Sequence, residues 1–430
     1  MSSNYTVLVT GANSGLGFTV CCRLIDEFLA TRPVTQSLHL IFTTRDKPKS
    51  DATLKRLRDN LRRTIRNVYG SETKTASIRD LQEQRIRLEG ETMDLCLLPT
   101  VKRCAARLAA RNLHLDSVVL NAGIGGWTGL NYFRATRSFA SNFFEAVTFP
   151  NYKLGTSGSL CKAQLPKSGG TASTEPVLGD VFTANVFGHY MLVHWLAKAL
   201  SATEKHPQAG RIVWVSSLEA QGHCYDPTDM QGLLTDASYE SSKRLTDILA
   251  LSSARKSTQR SVAAFLPATN ASDRPKQYLA HPGVCLTSIA PVPAFILFFV
   301  SLAFTIARLI GSPWHLNGAY KGAVTATWLA LASPSTLDTL EEQEGKAKWG
   351  SATTRAGEER VVRTYVDGWG WGGRPGETAD KTWRLATKWW LRAVPAKKEE
   401  DVAKFEELGA QVWREMEELR VRWEEILKDV

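Results

Sequence analysis

An apolar, β-branched run from Tyr5 to Thr10 passes directly into Thr10-Gly11-Ala12-Asn13-Ser14-Gly15-Leu16-Gly17, after which Cys22, Leu24 and Leu29 recur at helical spacing. This order of strand, glycine-rich turn and helix constrains the chain more than any other stretch. Glycines let the backbone turn tightly and let its N–H groups approach a pyrophosphate, and the helix N-terminus adds a favourable partial positive charge. The same glycines elsewhere would mark a turn and nothing more.

The rest of the first half keeps the rhythm that this opening sets. Short strand-like runs at Thr6 to Thr10, Leu38 to Thr43, Ile86 to Met93, Ser117 to Leu120, Arg211 to Ser216, and either Ser261 to Leu266 or Gln277 to His281 alternate with helical patterns. That alternation predicts an α/β fold, a Rossmann-type doubly wound parallel sheet with helices on both faces. Residues 1–290 read as the dinucleotide-binding and catalytic unit, with a Gly-, Ser- and Thr-rich insert at about 125–179. Residues 291–330 form an apolar segment, and 331–430 a C-terminal extension. Val292 to Ala307 is almost continuously apolar but shorter than the roughly 20 residues of a spanning helix, which leaves a membrane span, an embedded helix, a substrate lid and a core helix open. In the extension, Phe405, Leu408, Val412, Met416, Leu419, Trp423 and Ile426 recur at steps of three and four among charged residues, an amphipathic stripe expected to dock on the body of the protein. Packing of this tail is also the plain expectation for the Trp-rich stretch Asp367 to Gly373.

Composition narrows the partners. A net charge of +10 suits a phosphorylated cofactor or an acidic membrane surface, or simply a well-solvated exterior; no nucleic-acid partner is expected. Seven cysteines without a CxxC pair or a His/Cys cluster at zinc spacing read as reduced thiols, with no metal site. A strand beginning at Tyr5 leaves no room before it for a secretory signal. Lys55, Arg56, Arg58, Arg62, Arg63 and Arg66 make one helix strongly basic, which suits a solvated face or anionic lipid.

At the cofactor end, Gly11, Asn13, Ser14, Gly15, Leu16 and Gly17 are the candidate cradle. The second strand ends in Thr43-Thr44-Arg45, without the carboxylate that usually holds an adenosine 2′-hydroxyl, so Arg45 is placed to pair with a 2′-phosphate and NADP(H) is the expected cofactor. Asp94 follows the third strand, as an acceptor for the adenine amino group or as a helix cap. Asn121-Ala122-Gly123 follows the fourth, where small residues let the chain pass under a cofactor or make a tight turn. At the chemical end, Tyr239 and Lys243 stand four residues apart on one helix face, and a neighbouring ammonium favours the phenolate of a tyrosine whose ordinary pKa is about 10. The strand Arg211 to Ser216 delivers serines at its end, Ser217 with Ser216 as the alternative.

Together the glycine turn, Asn121-Ala122-Gly123, Asn185, Ser217, Tyr239, Lys243 and Pro282-Gly283 resemble the short-chain dehydrogenase/reductase family over roughly Tyr5 to Thr287. The resemblance implies that Ser217 polarises a substrate carbonyl and Tyr239 donates the proton. It implies that Lys243 lowers the tyrosine pKa and binds the nicotinamide ribose, and that Asn185 holds a water linking Lys243 to solvent. Pro282 would then touch the nicotinamide, with Thr287 near its carboxamide. The gap from Ser217 to Tyr239 and the insert before Asn185 are both longer than the family pattern.

Asn121 to Trp127, Asn185 to Tyr190, the inserts and the apolar run are further similar to the fungal 3-ketosteroid reductases of ergosterol synthesis. That likeness implies NADPH-dependent reduction of a 3-keto sterol to the 3-beta-alcohol after C-4 demethylation, at the endoplasmic reticulum membrane or lipid droplets. Sterol C-4 methyl oxidase, C-3 decarboxylase and a membrane scaffold protein are the implied partners. A ketoreductase of secondary metabolism acting on a triterpenoid or polyketide, and a scaffold supporting a neighbouring sterol enzyme, are the rival readings.

Overall fold

A computed structural model describes residues 3–70, 76–165, 175–285, 294–377 and 397–430. Twelve strands are described: β1 (Ser3–Val9), β2 (Gln36–Thr44), β3 (Ile86–Thr92), β4 (Ser117–Leu120), β5 (Trp127–Leu130), β6 (Lys153–Gly155), β7 (Arg211–Val215), β8 (Lys276–His281), β9 (Val284–Cys285), β10 (His315–Leu316), β11 (Lys348–Thr353) and β12 (Glu359–Thr364). Eight of them form one sheet in the order β12-β11-β8-β7-β4-β1-β2-β3. All neighbours pair in parallel except the edge pair β11 and β12.

Parallel strands buried on both faces form near-continuous apolar runs, and β4 and β7, apolar after Ser117 and Arg211, are buried at every residue. Alternation divides them between two cores: Leu8, Val118, Ile212 and Leu279 face one, and Val7, Val9, Val119 and Val213 the other. The first core is covered by the helices Leu98–Ala109, Gly188–Trp195, Ser238–Ser252 and Glu399–Ile426, the second by Gly15–Thr31, Lys47–Tyr69 and Val324–Leu331. This is the doubly wound arrangement expected.

Three details differ from the expectation or complete it. Ser261 to Leu266 is not a strand: Gln259–Phe265 is a helix, and Lys276–His281 takes the place beside β7. The breaks at 290 and 330 are changes of composition, not of sheet, because β11 and β12 from the extension finish the same sheet. The insert is ordered where described, as the antiparallel hairpin of β5 and β6 around the helices Tyr132–Ser141 and Phe143–Thr148.

The apolar run enters the described structure as the helix Ala294–Ile310. Phe304 and Ala307 pack with Val147 of the insert, whereas Phe299, Leu302, Ile306 and Leu309 are exposed. Among the described residues no helix is long and apolar enough to cross a membrane. The C-terminal stripe lies against the body as expected. Phe405, Val412, Trp413, Met416 and Trp423 are buried in the first core, and Trp369 of the Trp-rich stretch packs on Phe405 with ring centroids 5.0 Å apart.

Candidate active site

Strand order reverses between β1 and β4, and open α/β sheets hold ligands in the crevice at such a point. The glycine turn lies there. Gly11 and Gly15 have φ of +69° and +57°, a region that penalises any side chain. A Cβ on Gly17 would sit 2.3 Å from the Gly11 carbonyl oxygen and 2.4 Å from Asn121 Nδ2, and one on Gly11 2.7 Å from Ala122 Cβ. The turn therefore packs backbone on backbone and presents the N-terminus of the helix Gly15–Thr31, whose first turn has no acidic residue to repel a phosphate. These residues fit the pyrophosphate of a nicotinamide dinucleotide.

Thr10 organises the turn from below. Its hydroxyl accepts from the N–H groups of Asn121 (2.9 Å) and Ala122 (3.0 Å), while Asn121 Nδ2 donates to the Thr10 carbonyl (3.1 Å). Asn121 thus holds the turn in shape through its side chain. At the end of β2, Asp46 caps the next helix through the Lys49 N–H (2.8 Å) and pairs with the Lys49 ammonium (2.6 Å), which leaves exposed Arg45 as the charge on the rim. Arg56, read in the sequence only as part of a basic face, donates to the Asn13 carbonyl at 2.8 Å and lies 3.7 Å over the Phe18 ring. A second cation therefore stands at the same turn, and its place in the i, i+4 pattern of a helix gave no sign of that. Asp94 Oδ1 accepts from the Cys96 N–H at 3.0 Å, although the following helix is capped at Leu97.

On the other side of the crevice the helix Ser238–Ser252 carries Tyr239 and Lys243, 9% and 5% exposed. Lys243 donates to the Val215 carbonyl at 2.8 Å, with its ammonium 5.7 Å from the Tyr239 ring centre. Burial foremost, then the carboxylate of Glu219, holds the Tyr239 phenol above its ordinary pKa; the Ser217 hydroxyl beside it acts the other way. The expected lowering by Lys243 is not what the protein alone provides. Burial, partly offset by Asp247, brings Lys243 itself down to about 8.

The geometry separates the two serines. Ser216 donates to Asp247 Oδ1 at 2.5 Å and lies 3.3 Å from the Lys243 carbonyl, on the inner side of the strand end. Ser217 faces the phenol, and its hydroxyl also accepts from the Glu219 N–H at 3.2 Å. Its position is fixed from behind by Lys348, which donates to the Ser217 carbonyl (2.6 Å) and to Asp247 (2.7 Å). Asp247 and Lys348 went unnoticed in the sequence because they come from a helix and a strand far apart in the chain.

Asn185 sits in a π-helical turn, Thr183–Phe187, a wide turn that recurs at functional sites. Its amide accepts from the Ile124 N–H (2.8 Å) and donates to the Ile124 carbonyl (3.0 Å) and the Ser242 hydroxyl (2.9 Å). It ties the loop after β4 to the helix of Tyr239. Pro282 follows β8 at the same edge, where Gly283 turns at φ +69° against the carbonyls of Ser351 and Trp314. Thr287 lies outside the described residues.

Two hydroxyls close together beside a dinucleotide cradle can hold a ketone oxygen and protonate it, the carbonyl reduction that the resemblance to the short-chain dehydrogenases/reductases implied. No protein-family profile matches the chain. It is 40% identical to the 3-keto-steroid reductase erg27 of Aspergillus fumigatus, over 98% of this chain and 95% of that one, and 38% identical to ERG27 of Gibberella zeae over 98% and 94%. The erg27 protein of Schizosaccharomyces pombe is 31% identical over 85% of this chain and 92% of its own. The chain belongs to the 3-keto-steroid reductase family. Among solved structures, a short-chain type dehydrogenase/reductase from Mycobacterium ulcerans aligns with 78% of this chain and 86% of its own at 16% identity and a TM-score of 0.41.

Proposed function

We propose that this protein reduces a 3-keto sterol to the 3-beta-alcohol with NADPH, in the C-4 demethylation stage of ergosterol synthesis. The observation that carries the reading is the buried Tyr239 phenol, with Lys243 below it and Ser217 beside it, facing the glycine cradle in a chain that aligns over almost its whole length with relatives named 3-keto-steroid reductase. Ser217 donates to the ketone oxygen, and Tyr239 donates to the same oxygen and gives up its proton as the alcohol forms. Bound NADPH supplies the hydride. Lys243, buried with a lowered pKa, exchanges protons with the tyrosine side of the crevice, and Asn185 keeps the two walls in register. Arg45 and Arg56 support NADPH over NADH, since both are cations at the rim of the glycine turn, without a carboxylate at the end of β2 to hold a 2′-hydroxyl.

A sterol dissolves in membrane, and the exposed side of the helix Ala294–Ile310 supports docking on lipid at the endoplasmic reticulum or a lipid droplet. Phe299 is 62% exposed there, and Phe133 of the neighbouring insert 80%. The C-4 methyl oxidase, the C-3 decarboxylase and a scaffold protein would be met on that surface.

The test is NADPH oxidation by membranes carrying the protein, with a 4-demethylated 3-keto sterol as substrate. Sterol-dependent oxidation that falls by about 10² or more in Tyr239→Phe is expected. Sterol-independent NADPH oxidation, or an active Tyr239→Phe, overturns the assignment. Arg45→Glu is expected to raise KM for NADPH about tenfold and leave NADH almost unchanged.

A further inference from the structure

The insert does more than lengthen the chain between β4 and Asn185. Its strand β6 carries Lys153 to the wall of the active site, with the ammonium 2.6 Å from Glu219 Oε1 and 2.5 Å from Glu240 Oε1. The three side chains are 9%, 16% and 15% exposed. The same ammonium stands 4.2 Å from the ring centre of Trp127 and 5.4 Å from that of Tyr239, and Trp127 meets Tyr239 edge-on at 4.9 Å. Glu219 follows Ser217 by two residues and holds its hydroxyl through the backbone, while Glu240 adjoins Tyr239. At Gly155 the hairpin comes so close to the Asp236 carbonyl that a Cβ would overlap it at 1.7 Å. One lysine of the insert therefore bridges the segment bearing Ser217 and the helix bearing Tyr239.

We propose that Lys153 and Glu219 are positioning residues of the reduction: the insert closes on Tyr239 through Lys153, and the charge balance of this cluster sets how readily the phenol gives up its proton.

Two carboxylates against one ammonium leave a formal charge of −1 beside the phenol, and a negative charge nearby disfavours the phenolate. Both glutamates act on Tyr239 in that direction, Glu219 more strongly. Burial holds Glu219 above the ordinary carboxylate range, with Lys153 opposing and Glu240 adding to the shift. The titratable groups around Glu219 are Lys153 and Tyr152 on the insert, Tyr239 and Glu240 on the helix, and Cys224 on the intervening loop. Removing either member of the bridge changes the field on Tyr239 with opposite sign. Lys153→Met uncovers both carboxylates and raises the phenol pKa further; Glu219→Gln leaves a neutral Lys153–Glu240 pair and lowers it.

This inference rests on the proposed sterol reduction, so the experiment has one arm that needs no substrate. Hydrogen exchange of the full-length protein is expected to show the hairpin amides at 127–130 and 153–155 exchanging at least tenfold faster in Lys153→Met and close to wild type in Lys153→Arg. Unchanged protection in Lys153→Met overturns the closing role, whether or not the protein reduces sterols. In the second arm, the alkaline limb of kcat/KM for NADPH-dependent reduction moves up by about one pH unit in Lys153→Met, down by a similar amount in Glu219→Gln, and returns in Lys153→Arg. Limbs that stay put, or that move the same way in both variants, overturn the electrostatic role. A wild type without sterol reduction fails the functional proposal instead, and the exchange arm still decides whether Lys153 closes the insert.

Discussion

Ser216 and Ser217 are neighbours at the end of one strand, and the half-turn between them divides structure from chemistry. Ser216 is 2% exposed and satisfies Asp247; Ser217 looks outward at the phenol. Ser217→Ala is therefore expected to lower kcat/KM about 10²-fold with little change in the urea midpoint. Ser216→Ala leaves buried Asp247 short of a partner and costs about 1–3 kcal/mol in the same unfolding measurement. The choice between them was not legible in the sequence, because it is made by Lys348, more than a hundred residues downstream. His189 carries a second residue-scale prediction. Its Nδ1 lies 3.2 Å from the Asn185 carbonyl, which can only accept, so Nδ1 bears the proton and Nε2 accepts from the Thr10 hydroxyl at 2.9 Å. Burial, against the Asn185 hydrogen bond, brings its pKa down to about 3. Between about pH 6.5 and 3 the unfolded chain binds a proton here that the folded chain refuses, so stability falls as the pH is lowered through that window. Unfolding free energies from urea titrations at pH 7 and pH 5 should differ by about 1–2 kcal/mol more in wild type than in His189→Gln.

Among the elements, those built on local pattern were readable and those built on distant pairing were not. The glycine turn, the helix of Tyr239 and the amphipathic tail each carry their signal in a dozen consecutive residues. Ser261 to Leu266 and Gln277 to His281 looked alike because a short apolar run serves a helix or a buried strand equally well; packing beside β7 chose the second. β11 escaped notice because Lys348-Trp349-Gly350-Ser351-Ala352-Thr353 has little apolar bulk, and its burial comes from β8 on one side and β12 on the other. The hairpin of the insert was hidden in the same way, its two short strands separated by two helices. At the glycine turn the element fails as a unit. Gly17→Val would drive a side chain into the Gly11 carbonyl and the Asn121 amide. Loss of NADPH binding by at least 10²-fold in a fluorescence titration is expected, with the secondary structure by circular dichroism retained.

For the whole molecule, the helix Glu399–Ile426 completes the core on the face of the sheet that bears Tyr239. Trp413, fully buried, donates from Nε1 to Ser252 Oγ at 3.2 Å and packs on Phe265 and Tyr190 with ring centroids 5.4 and 5.8 Å away. Behind it, Glu417 accepts from the Tyr190 hydroxyl at 2.7 Å and pairs with Arg420 at 2.7 Å. Trp413→Ala is expected to cost about 3–5 kcal/mol of stability by urea denaturation and to reduce activity through loss of folded protein, with KM for NADPH unchanged in the fraction that remains. The apolar stripe in the tail was visible at once, but its seat on the helix Ser238–Ser252 was not, since nothing in a stripe names the surface it covers. That seat has a consequence for how the protein is made. Translation produces the segment around Tyr239 well before the helix that backs it, so the growing chain must carry an open apolar flank through that interval. A premature stop codon as late as position 398 would leave every residue of the crevice correctly encoded and the wall behind it missing.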